Sequence, residues 1–170
     1  MATMTSIREG ESASLFNSPL ETGIRALIIL DAAYPKSFDL TKLTWFDHLV
    51  VHTGDIDGPA SLHPNLPQRS GEILVRRRLI EDSLTLMRRL HLVSTTTDEC
   101  GIAYQATDEA YPLVKLMRAG YTTELKIRAK WLVENVCSRS DEAIHNLITA
   151  KLGRWNIEFQ EKAGITKGSK

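Results

Sequence analysis

Apolar and polar positions alternate along the chain in patterns that predict a mainly helical protein. Ser18-Pro19-Leu20-Glu21 has capping-box spacing with proline at the first helical position. It opens a helix in which Ile24, Leu27, Ile28 and Leu30 recur at helical spacing as far as Tyr34, and Pro35 stops it. Phe38 to Leu43 reads as the short second helix of a helix-turn-helix. Thr44 to Asp47 would start a third, with Leu43, Phe46, Leu49 and Val50 on one face and Gly54 at its end. Residues 52–67 are rich in turn formers and have no period. A loop this long inside a compact domain is usually functional or disordered, and Ile56, Leu62 and Leu66 favour a packed one. Ser70-Gly71-Glu72 then leads into a long helix from Ile73 to His91, with Leu74, Leu79, Ile80, Leu84, Met87 and Leu90 inward.

The stretch from Leu84 to Met117 organises the rest. Leu92 to Thr96 favours a strand, Thr97-Asp98-Glu99-Cys100-Gly101 a turn in which Gly101 takes a positive φ, and Ile102 to Ala106 a second strand. Thr107 is suited to cap a returning helix, with Asp108 and Glu109 complementing its dipole. Helix, two-stranded ribbon and helix make the closing half of a winged-helix unit. The predicted fold is therefore mainly α with a small β-hairpin wing, a winged helix-turn-helix with extra helices. Tyr111, Val114 and Met117 belong to one further helix, and Leu125, Ile127, Ala129, Trp131, Leu132 and Val136 to another. Ser140 caps a final segment whose Ile144, Leu147, Ile148 and Leu152 form an apolar face, continued by Trp155, Ile157 and Phe159. Such a face points to docking, on its own domain or on a partner.

These patterns divide the 170 residues into a flexible N-terminus (1–14), a winged-helix domain (15–137), a C-terminal helical segment for docking (138–161) and a disordered tail (162–170). The length suits one well-buried domain. Its 21 basic and 21 acidic residues cancel, so overall charge supplies no attraction to nucleic acid or anionic membrane, and only local patches remain. Two cysteines, Cys100 and Cys137, are too few for a disulfide framework or a four-cysteine zinc site. With no signal peptide and no apolar run of roughly 20 residues, the expected location is the cytoplasm.

Candidate chemistry is sparse. His48 and His52 are spaced as in the zinc-binding HExxH arrangement, but Leu49 stands where the glutamate base belongs. Asp55-Ile56-Asp57-Gly58 opens like a calcium loop, yet its glycine comes early and Leu66 occupies position twelve. Ser61, His63 and Asp55 form a triad only on paper. No phosphate-binding glycine motif is present, and Cys100 has no basic neighbour to activate it. The expectation is no catalytic group, no metal and no cofactor. Arg76, Arg77, Arg78, Arg88 and Arg89 form the one cluster suited to phosphates, and it suits acidic protein surfaces equally.

Four strings go beyond a generic winged helix: Leu15 to Glu21, Phe46 to Asp55, Ser61-Leu62-His63-Pro64, and Glu72 to Arg77. From Leu15 to Val136 the chain resembles the middle component of bacterial ABC-three-component systems, including the Lamassu-type antiphage systems. The loop from His52 to Pro64 is its most specific part. The resemblance implies a small non-catalytic winged-helix adaptor that links an SMC-like coiled-coil ATPase to an effector, commonly a nuclease. The surface expected to hold partners comprises His52, Thr53, Gly54, Asp55, Ser61, His63 and Pro64, with Leu147, Leu152 and Trp155 of the tail. Arg76, Arg77, Arg78, Arg88 and Arg89 are candidates for DNA or partner contact within the complex. Two alternatives stand beside this one. A stand-alone winged-helix transcription regulator would present Arg88, Arg89 and the wing to DNA, although Asp98 and Glu99 would then face phosphates. A metal-dependent hydrolase would need a third ligand beside His48 and His52.

Overall fold

A computed structural model of the chain describes residues 18–63 and 72–152, and within these the side chains of residues 72–74, 149, 151 and 152 are left aside. The expectations for residues 1–14 and 162–170, and for Leu66, Pro64, Trp155, Ile157 and Phe159, lie outside the described residues.

The chain folds as α1 (Pro19–Ala33), β1 (Phe38–Asp39), α2 (Leu40–Val51), a 3-10 turn (Thr53–Ile56), α3 (Glu72–Arg89), β2 (Val93–Asp98), β3 (Gly101–Ala106), α4 (Ala110–Leu116), α5 (Gly120–Asn135) and α6 (Asp141–Leu152). It is mainly helical, six helices with one small antiparallel sheet of order β1-β3-β2 among the described residues.

Helix α1 starts where its sequence says it should. Ser18 Oγ accepts from the Glu21 amide at 3.2 Å and Pro19 fills the first turn, where no intrahelical partner is lost. Its Leu27, Ile28, Ile29 and Leu30 are wholly buried, because α1 is central and packs on α3 and α5. The expected break between two helices near Thr44 is absent. Phe38-Asp39 is instead a short strand against β3, pairing Phe38 with Tyr104. Asp39 then caps one unbroken helix by accepting from the Lys42 amide at 2.7 Å. Thr44 turns its hydroxyl back onto the Leu40 carbonyl at 2.7 Å, a bond that spares the helix a cap at that position.

The hairpin is in register from Val93–Ala106 to Asp98–Gly101, so its turn is only Glu99-Cys100. Asp98 Oδ1 accepts the Cys100 amide at 2.7 Å, and Gly101 takes φ +120°, a backbone state that favours glycine. Thr107 does not cap α4. Its hydroxyl reaches the His91 carbonyl at 2.7 Å, and Asp108 accepts from the Tyr34 hydroxyl at 3.0 Å, so the helix begins at Ala110. One inward assignment also fails. Leu90 follows the last residue of α3, where His91 at φ +60° swings the chain away, and it is half exposed; Ile127 faces out on α5. Helix α6, capped by Ser140 Oγ on the Ala143 amide at 3.2 Å, returns Ile144 and Ile148 to the common core. No helix of the described residues is long and apolar enough to cross a membrane.

Candidate functional site

The loop after α2 is built, not draped. Leu62 and His63 amides both donate to the Val51 carbonyl, at 2.9 and 3.2 Å, which folds the loop back onto the end of α2. Thr53 Oγ1 donates to the Pro59 carbonyl at 2.7 Å, the Gly54 amide donates to Ser61 Oγ at 3.1 Å, and the Gly58 amide closes on the Thr53 carbonyl at 2.9 Å. From α5, buried Arg128 donates through Nε and Nη2 to the Ala60 carbonyl at 2.8 and 2.7 Å, while its Nη1 holds Glu124. His63 Nε2 lies 2.9 Å from the Tyr121 hydroxyl, and the two rings stack. Of the residues expected to hold partners, Thr53 is wholly buried and His52 nearly so, because they brace the loop from beneath; Gly54, Asp55, Ser61 and His63 keep part of their surface open, and Pro64 lies outside the described residues.

The fit is tight at Gly58. A Cβ there would stand 2.7 Å from two ring carbons of Trp131 and 3.0 Å from the Thr53 carbonyl oxygen. Gly58→Ala is therefore expected to cost about 1–3 kcal/mol, the usual range for forced overpacking. Urea denaturation gives the cost, and amide exchange at Gly54 and Gly58 should accelerate with it. Unchanged exchange would mean that Trp131 yields freely.

Beneath the loop lies an ion triad that sequence reasoning missed. Asp47 is wholly buried, with Oδ1 at 2.7 Å from Arg25 Nε and Oδ2 at 2.6 Å from Arg76 Nη1. Burial works to raise the Asp47 carboxyl, but the two guanidiniums overcome it and hold it below the ordinary carboxylate range. The signal was present: Arg25 and Asp47 are lone charges within otherwise apolar helical runs, where a charge is retained only if paired.

The histidines follow the same logic. His48 and His52 lie 4.5 Å apart between centroids with their rings tilted by 33°, and His63 meets His52 edge-on at 6.3 Å. Burial, then the Arg76 and His52 charges, lower His48 to about 3; burial also lowers His52 and His63. All three are neutral imidazoles near pH 7. His52 Nδ1 is buried with no hydrogen-bond partner among the described residues. No group of three or more His, Cys, Asp or Glu among those residues is placed to hold a metal ion.

The arginine cluster is divided. Arg76 is committed to Asp47, and Arg77 Nη1 donates to Thr41 Oγ1 at 3.0 Å, tying α3 to α2. Arg78, Arg88 and Arg89 are exposed. In the tail, Leu147 packs against the core edge; the side chain of Leu152 and all of Trp155 lie outside what is described. Cys100 is exposed at the hairpin turn, and burial pushes the Cys137 thiol up to about 11.

Fold and site together define a small helical domain that carries a braced polar loop over a buried ion triad. The chain belongs to the family of ABC-three component (ABC-3C) system Middle Component 2, whose family model matches residues 15–158. Neither the curated proteins nor the solved structures hold a significant match. Membership of a three-component system implies the other components as partners.

Proposed function

We propose that the chain is a non-catalytic adaptor that holds an SMC-like ATPase and an effector, a nuclease in the simplest case, in one antiphage assembly of the Lamassu type. The observation that carries this is the family match over residues 15–158, which runs across the whole braced loop. Thr53 and Ser61 spend their hydroxyls on the loop's own backbone and Arg128 holds the Ala60 carbonyl, as suits a rigid docking surface.

We read the core as a winged helix. Its support is the order α1-β1-α2-α3-β2-β3 with strand order β1-β3-β2. The connection from α2 to α3, residues 52–71, replaces the three-to-four-residue turn of a helix-turn-helix, and the loop occupies that insertion. The regulator reading would use Arg88, Arg89 and the wing; the two arginines are exposed, but the hairpin tip carries Asp98 and Glu99, which would face phosphates.

The test is reconstitution. Purified chain, ATPase component and effector component are mixed at micromolar concentration and separated by size with light scattering. One species containing all three is expected. Three separate species would overturn the adaptor reading, and a symmetric dimer of the chain that retains one DNA sequence would replace it with the regulator.

A further inference from the structure

Away from the loop, the end of α3 and the short helix α4 border an open groove of about 570 Å³, lined by Leu90, His91, Leu92, Glu109, Pro112, Leu113 and Leu116. Leu90, Leu113 and Leu116 are 51%, 37% and 72% exposed. Among the described residues, these leucines keep a third or more of their surface uncovered. Ala110 and Val114 already seat α4 on the core, and among the described residues nothing packs over the Leu113–Leu116 side of the helix. Apolar side chains gathered in one concave surface are the usual mark of a docking site, whereas single exposed leucines are not.

The charges flanking the groove favour one kind of occupant. Arg88 and Arg89 end α3 directly before Leu90, Lys115 lies on α4 between Leu113 and Leu116, and Arg118 follows α4; all four are exposed. The acids of the same stretch are Glu109 and Asp108, and Asp108 already accepts the Tyr34 hydroxyl. An apolar floor with a cationic rim complements a helix that has leucine-like anchors on one side and acidic residues beside them. The groove's volume takes a few aliphatic side chains and not a folded domain.

We propose that this groove docks an amphipathic, acid-flanked helix supplied by another component of the assembly. The proposal rests on the adaptor reading and adds a second contact surface to the loop, on α3 and α4. It makes the adaptor bivalent, with one surface for each partner.

The test uses the full chain with the reconstituted ATPase and effector components. L113D/L116D replaces two exposed leucines, so its thermal unfolding should match the wild type. Its affinity for one component should fall at least about tenfold, with the other contact retained. R89E/K115E should weaken the same contact by about three- to tenfold and reduce its dependence on salt. A photocrosslinker at Leu116 should map to an acidic amphipathic helix of that component, a readout independent of the double variant's folding. Wild-type affinity in both variants, or crosslinks only to a second copy of the chain, would overturn the groove while leaving the adaptor intact. Failure of the wild-type chain to bind either component would overturn both.

Discussion

Asp47→Ala should destabilise the fold by about 3–5 kcal/mol, a large share of the stability of a domain this size. The reason is asymmetry. With Asp47 present, its two oxygens satisfy Arg25 and Arg76 at 2.7 and 2.6 Å in a site that excludes water. Without it, Arg25 is left charged and 4% exposed, and Arg76 loses the anchor between α3 and α2. Asp47→Asn keeps one acceptor and the shape, so it should lie between Ala and wild type. Urea unfolding of the three proteins at pH 7 makes the comparison. Equal midpoints for wild type and Asp47→Ala would show that the triad contributes nothing net. The pH dependence has a definite sign: a depressed carboxyl stabilises above its unfolded value of 3.8, and that contribution is lost as pH falls below it.

The second large effect comes earlier in an acid titration. His48 is neutral inside the fold to about pH 3, whereas in the unfolded chain it takes a proton near 6.5. Between those values the unfolded state binds the extra proton, so stability falls as pH falls, by about 1.4 kcal/mol per pH unit. From pH 6.5 to 4.5 this amounts to roughly 2–3 kcal/mol from His48 alone. His52 and His63 are lowered in the same direction and steepen the fall. Unfolding free energies at pH 7, 6, 5 and 4.5 should trace that slope, and His48→Asn should reduce it by about one proton. Parallel curves for the two proteins would mean that His48 is already charged in the native state. The two acid effects separate by pH. The histidine loss begins near 6.5 and the Asp47 loss only near 3.8, so Asp47→Asn leaves the first phase intact.

Both effects originate in the same few residues, and this bears on function. The triad fixes α1, α2 and α3 to one another under the loop that the family match spans, and the paired imidazoles lie at the end of α2 where the loop begins. A surface meant to hold a partner loses less affinity to ordering when it is already rigid.

What the sequence by itself determined is local or periodic. The cap at Ser18, the apolar stripe of α1, the hairpin turn with positive φ at Gly101, the cap at Ser140 and the long packed loop were all legible there, because each depends on residues a few positions apart. The loop's likeness to a family was legible for the same reason: it lies in contiguous strings. Only the tertiary structure decided the rest. Phe38-Asp39 became a strand because β3, more than sixty residues later, offered an edge, and Thr107 lost its capping role because the His91 carbonyl came within reach. Asp47 met Arg25 and Arg76 across 22 and 29 positions of chain, which no periodicity records. Leu90 read as a core residue by pattern and proved to be surface, since hydrophobic spacing says which residues share a face and not whether anything covers it.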